Sequence, residues 1–152
     1  MKVSFTGTQQ GMTEFQKIEL KQRLIDLNVT EFIHGDCIGA DSEANAIAIE
    51  SGIKVFHLFP SNLGAKRAIC FPTNIQTDGH YYAMPNSDIL VKMELEENPL
   101  FRNKKIVDAS DQLIACPKEH QHTLRSGTWA TIRYAWKKKK NVLVIPPIVR
   151  ED

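Results

Sequence analysis

The sequence predicts an α/β fold: an open, mostly parallel sheet of about five strands, with helices on both faces and one irregular insertion. Three observations carry it. Two short apolar runs near the start each lead into a polar, glycine-containing loop and then into apolar residues at helical spacing. The same alternation returns in the last third of the chain. Short β-α units in succession favour parallel strands, because a parallel pair needs a crossover connection and a helix supplies it.

Val3–Phe5 is the first strand. It runs into the loop TGTQQGM, and Thr13 is placed to cap a helix that turns Phe15, Ile18, Leu20, Leu24 and Leu27 inward. Glu31–His34 is the second strand, followed by HGDCIGAD. Ala40, Ala44, Ile47, Ala48 and Ser51 then fall at helical spacing until Gly52 stops the helix. Lys54–Phe59 supplies the third strand, ended by Pro60.

From Ser61 to Pro99 the periodicity fades into Gly, Pro, Asn and aromatic residues, with one weak apolar stretch at Asp88–Met93. Phe71, His80, Tyr81 and Tyr82 argue against disorder, so about 61–99 is expected to be an ordered lid or partner-binding insertion. The pattern resumes in FRNKKIVDASD, a helix facing Ile106, Val107 and Ala109 inward, and in the strand Gln112–Cys116 ended by Pro117. LRSGTWATIRYAWKKKK is the last helix, with Trp129, Ile132 and Trp136 on one stripe, and Asn141–Ile145 is the last strand. The lysines at 137–140 sit where cations complement the helix dipole.

A length of 152 residues, 42% of them hydrophobic and 24% charged, suits one domain over 1–152. Nineteen basic residues nearly balance eighteen acidic ones, so total charge calls for neither nucleic acid nor a membrane surface as partner. No apolar run approaches the ~20 residues of a membrane span, and MKVSFTG lacks a signal core, so a cytoplasmic location is expected. Cys37, Cys70 and Cys116 form no CxxC pair and suggest neither disulfides nor zinc. No metal and no cofactor are expected.

In an open parallel sheet, ligands bind beyond the carboxyl ends of the strands, and three of the loops must meet there. The first offers Gly7, Thr8, Gln9 and Gly11. The second offers Gly35, Asp36, Gly39 and Asp41; together with Glu43 its carboxylates would repel a bare phosphate but accept hydrogen bonds from ribose hydroxyls or a base amine. Asp41 or Ser42 could equally serve as a helix cap. The third loop, CPKEHQHTLRSGT, ends in Arg125, Ser126, Gly127 and Thr128, which combine a cation, two hydroxyls and helix-start N–H groups and so suit a phosphate best. Arg102 is a second possible anion clamp. GxGxxG and GxxxxGK[ST] are absent, which removes the standard dinucleotide and P-loop readings. Glu119, His120 and His122 invite an acid–base or metal reading only weakly, and no nucleophile–base pair can be read from spacing.

The segments HGDCIGAD, RNKKIVDASDQLIACP and TLRSGTWATIRYA together resemble the SLOG superfamily of Rossmann-like nucleotide-binding proteins. That superfamily takes in Lonely Guy phosphoribohydrolases, DNA-processing proteins, molybdenum-cofactor carrier proteins and ligand-sensing domains of bacterial and phage conflict systems. The resemblance implies a parallel sheet, a nucleotide-type ligand and a homodimer or higher homo-oligomer; a phage-encoded chain would act in the host cytoplasm. In the phosphoribohydrolase branch the catalytic pair is an arginine, matched here by Arg102, and a glutamate in PGGxGTxxE. Gly127 and Thr128 match the GT, but Thr131 stands at the glutamate position, and KEHQHTLR separates Pro117 from Ser126.

Two functions follow from these residues. One is binding, or sequestration, of a nucleotide or nucleotide-derived signalling molecule such as an ADP-ribose derivative or cyclic oligonucleotide. Phosphates would rest on Arg125–Thr128 and the Gly7–Gly11 loop, sugar and base near Gly35–Asp41. The other is hydrolysis of an N-glycosidic or phosphoester bond, with Arg102 holding phosphate and Glu119 or Asp36 supplying a carboxylate.

Overall fold

The sheet is built around the first strand of the chain. In the computed structural model, which describes residues 1–71 and 74–148, β1 (Lys2–Gly7) lies between β2 (Glu31–His34) and β6 (Gln112–Cys116), parallel to both. β3 (Val55–Leu58) and β5 (Leu90–Met93) continue the sheet beyond β2, and β7 (Asn141–Val144) continues it beyond β6. β4 (Tyr82–Ala83) closes one edge as the antiparallel partner of β5. The order is β4-β5-β3-β2-β1-β6-β7. Among the described residues the sheet therefore has seven strands, where the sequence predicts about five. The two additional strands come from 61–99, where the pattern was weakest: in β5 only Val91 is fully buried, and β4 has two residues.

Helices cover both faces. α1 (Glu14–Asp26) and α2 (Ala40–Glu50) pack together on one face, α3 (Pro99–Asp108) and α4 (Gly127–Lys137) on the other. The two-residue alternation of a strand sorts the core accordingly: Ile114 and Cys116 point to the α1/α2 side, Leu113 and Ala115 to the α3/α4 side. Two helical stripes differ from the sequence reading. α1 buries Gln16, Leu20 and Leu24, which share a face at i, i+4, and leaves Ile18 66% exposed; Phe15 and Leu27 are half-buried. α4 buries Trp129 and Ile132 with Thr128, Thr131 and Ala135, while Trp136 stays 50% exposed.

The buried Gln16 has a structural cause. Thr13 and Gln16 form a reciprocal capping box: Thr13 Oγ1 accepts from Gln16 N at 3.1 Å, and Gln16 Oε1 accepts from Thr13 N at 3.1 Å. The Gln16 amide nitrogen then donates to Pro117 O at 2.7 Å and Ile145 O at 3.0 Å, tying the start of α1 to the ends of β6 and β7.

The segment 61–99 is anchored along the far edge of the sheet. Phe71 packs on Phe56 with ring centroids 5.1 Å apart, Tyr81 donates its hydroxyl to Glu31 on β2, and Tyr82 donates to Asp78. From β5 the chain runs through α3 and crosses back past β1 to reach β6. This makes β1/β6 the point where strand order reverses, and loops leaving two such strands diverge and open a crevice.

Candidate functional site

A cleft of about 610 Å³ opens past the carboxyl ends of β1 and β6. Its walls bring together most of the residues singled out in the sequence. Gly7, Thr8 and Gln9 come from the first loop, Gly35 and Asp41 from the second, Arg102 from α3, and Glu119 with Arg125–Thr128 from the third. Gly11, Asp36 and Gly39 do not line it. Neither do Phe71, Tyr81 and Tyr82; of the segment 61–99, Lys66 and Pro99 reach the cleft.

The β2–α2 loop satisfies itself. Asp36, expected to face a ligand, is fully buried: its Oδ2 accepts from Arg67 Nη2 at 2.9 Å and Nε at 3.2 Å, and its Oδ1 accepts from Cys70 N at 2.9 Å. Asp36 therefore anchors the segment 66–70, and with it Lys66, instead of reading a sugar. Asp41 neither caps α2 nor stands free. Its Oδ2 accepts from Gly35 N and Cys37 N, each at 3.2 Å, and the helix begins at Gly39 without a side-chain cap. Burial pushes the Asp41 carboxyl up, opposed in part by Arg102 and those two N–H donors. His34 Nδ1 accepts from Asp36 N at 2.9 Å, so its proton sits on Nε2 and is donated to Asn45 Oδ1 at 2.8 Å. Ile38 N and Ala40 N donate to Lys66 O and Thr8 O. The loop expected to meet sugar or base thus directs nearly all of its N–H groups inward.

Two glycines are explained by packing. A Cβ on Gly39, which has φ +84°, would lie 2.2 Å from Gln9 O, and one on Gly35 would lie 2.5 Å from Arg102 Nη1. The first loop is similarly closed, with Thr8 N donating to Cys116 O, Gln10 N to Thr8 Oγ1 and Gly11 N to Thr8 O.

Arg102 is 7% exposed and braced on all sides. Nε donates to Asn103 Oδ1 at 2.7 Å, Nη1 to Gly35 O at 2.9 Å and Phe59 O at 3.1 Å, and Nη2 to Cys37 Sγ at 3.1 Å. A guanidinium has five N–H groups. One on Nη2 is left uncommitted among the described residues, so Arg102 brings charge to the cleft more than hydrogen bonds. Burial pushes the Cys37 thiol up despite this arginine.

The β6–α4 segment is the open wall. Ser126 caps α4, accepting from Trp129 N at 3.2 Å, which commits its hydroxyl to the helix. Gly127 and Thr128 occupy the first turn, where backbone N–H groups have no acceptor four residues back. Arg125 stands beside them at the cleft. Thr131, at the position where the resemblance expects a glutamate, donates its hydroxyl to Gly127 O at 3.0 Å. α4 therefore presents no carboxylate at that point. Arg133 holds the preceding loop through Thr123 O, Leu124 O and His122 Nε2, at 2.8 Å for the last, so His122 serves the loop's geometry. Lys66 and Lys118 are wall residues missed in the sequence. Lys118 could have been found from its place directly after Pro117, whereas nothing in the pattern marks Lys66.

No family model and no curated protein sequence matches the chain. Solved structures do. TM1055, a structural-genomics target, aligns at 14% identity with a TM-score of 0.58 over 93% of this chain and 71% of its own. The molybdenum cofactor binding protein of the phototrophic bacterium Rippkaea orientalis aligns at 15% identity and 0.59 over 95% and 76%. DNA processing protein A from Streptococcus pneumoniae aligns at 19% identity and 0.65 over 99% of this chain, which spans only 52% of that protein. This chain shares the fold of these three proteins. The sheet puts its cleft at the β1/β6 strand-order reversal, where an open α/β sheet is built to hold a ligand.

Proposed function

We propose that the protein binds a nucleotide or nucleotide-derived molecule in this cleft. The observation that carries the proposal is the electrostatics around the start of α4. Lys66, Arg102, Lys118 and Arg125 surround a first turn with free N–H groups, against two carboxylates, Asp41 and Glu119. Phosphate rests on Arg125 and the Gly127–Thr128 N–H groups. Sugar and base extend toward Thr8, Gln9 and Gly35. The volume falls within the ~300–1,000 Å³ typical of small-molecule sites. A shared fold with a protein named for binding the molybdenum cofactor supports a small-molecule ligand.

Within that class, a signalling nucleotide such as an ADP-ribose derivative or cyclic oligonucleotide, held without turnover in the cytoplasm, suits a cleft in which Thr131 replaces the expected carboxylate. A second reading, hydrolysis of an N-glycosidic or phosphoester bond, is favoured by two carboxyl groups in one cleft, one of them raised by burial. One experiment separates the two. The protein is incubated with nucleotides, ADP-ribose isomers and cyclic oligonucleotides, then denatured, and the released compounds are identified by mass spectrometry. Stoichiometric recovery of one intact compound supports binding; catalytic appearance of free base or a linear product supports hydrolysis; recovery of nothing sinks both. Self-association is supported by Leu100 and Phe101, 65% and 64% exposed at the start of α3. A monomeric mass by light scattering would remove that part.

A further inference from the structure

Two buried side-chain atoms, Glu119 Oε1 and Trp129 Nε1, find no hydrogen-bond partner among the described residues, and both belong to the β6–α4 segment. Trp129 sits in the core between α4 and the sheet, but Glu119 lines the cleft. A buried carboxylate oxygen without a donor is unusual, because losing hydration without replacement is costly. The rest of the cleft shows the contrast. Asp41 accepts two backbone N–H groups, and Arg102 is engaged through all three of its nitrogens. Lys118 precedes Glu119 and Arg125 lies further along the same loop, yet Glu119 Oε1 pairs with neither.

Given the cleft as the nucleotide site proposed above, we infer that Glu119 is a specificity-determining residue that accepts a hydrogen bond from a neutral donor on the ligand. A bare anion has nothing to offer this oxygen and is repelled by it. A phosphorylated compound carrying a hydroxyl or an amine brings both halves of what the cleft asks for: negative charge for the cations and an O–H or N–H for Glu119. Inorganic anions are thereby selected against in favour of phosphate esters of polar organic groups. The donor has two chemical sources, a ribose hydroxyl or an exocyclic base amine.

The test measures affinities of the wild type, Glu119→Ala and Glu119→Gln for four probes, with a thermal melt of each variant to establish folding. The probes are ADP, 2′,3′-dideoxy-ADP, inosine diphosphate and trimetaphosphate, an anion with no donor at neutral pH. Glu119→Ala weakens ADP binding about ten- to hundredfold and tightens trimetaphosphate binding, because a donor's partner and a repelling charge disappear together. Glu119→Gln, which keeps a carbonyl acceptor and the side chain's size but loses the charge and adds N–H donors, weakens ADP binding less, tightens trimetaphosphate binding at least as much, and serves if the alanine variant fails to fold. In the wild type, weaker binding of dideoxy-ADP than of ADP assigns the donor to ribose, and weaker binding of inosine diphosphate assigns it to the base amine. A merely structural role would weaken ADP and trimetaphosphate alike. That result, or unchanged affinities, overturns the role of Glu119 and leaves the cleft as the binding site; a wild type that binds none of the four overturns both.

Discussion

The loops leaving β2 and β6 are both polar, both contain glycine and both lead into a helix, but they do opposite things. After β2, the N–H groups of Gly35, Asp36, Cys37, Ile38 and Ala40 all donate inside the protein, and the carboxylates of Asp36 and Asp41 are occupied by those or neighbouring donors. After β6, a capped helix start, Arg125 and Glu119 line the cleft, and one Glu119 oxygen has no partner among the described residues. Glycine and aspartate in a β-α turn therefore do not by themselves mark a ligand site. What distinguishes the two is whether the chain supplies its own partners.

This contrast can be broken at several points. Asp36→Ala leaves Arg67 without its buried partner and is expected to cost about 3–5 kcal/mol in urea denaturation. Gly39→Ala forces a Cβ against Gln9 O in a backbone region reserved for glycine, and is expected to cost about 3 kcal/mol or more. Arg125→Ala is expected to leave stability nearly unchanged and to lower nucleotide affinity by about 1.5–3 kcal/mol, measured by calorimetry. Unchanged affinity in the folded variant would remove Arg125 from the site.

Asp41 gives a pH test. Burial raises its folded value above the unfolded one, so the folded protein holds that proton more tightly. Its contribution to stability is present below the ordinary carboxylate range and is lost as pH rises through the raised value. The stability of the wild type relative to Asp41→Asn should fall as pH rises above the ordinary carboxylate range; a flat difference would contradict the shift. The smallest effect belongs to Gly127→Ala, where an added Cβ meets nothing within 4 Å and stability should change by no more than about 0.5 kcal/mol.

The parallel sheet was legible because β1, α1, β2, α2 and β3 follow one another with clear periodicity and short loops. Missing were β4 and β5: β4 is a two-residue edge strand, and β5 beside it buries only Val91 fully, so neither leaves much alternation to read. Ile18 was assigned inward on hydrophobicity alone. The buried position went instead to Gln16, whose amide serves two strand-end carbonyls that no local pattern could reveal. Arg125–Thr128 are readable as cleft-wall residues because they adjoin a helix start, and Glu119 because it closely follows β6. The inward commitment of Asp36 was not readable, because its partner Arg67 lies in the segment with no pattern.

Because β1 pairs with residues 112–116 as well as with β2, this interior strand of the sheet waits for most of the chain to be made. As the chain leaves the ribosome, β1, α1, β2, α2 and β3 can assemble while one long side of β1 has no neighbour. That side is an open strand edge and a liability for association with other chains. The contacts that close it, including those from Gln16 to Pro117 and Ile145, span more than a hundred residues, so loop-closure entropy slows this final step. The cleft, which needs both β1 and β6, comes into existence at that moment and no earlier.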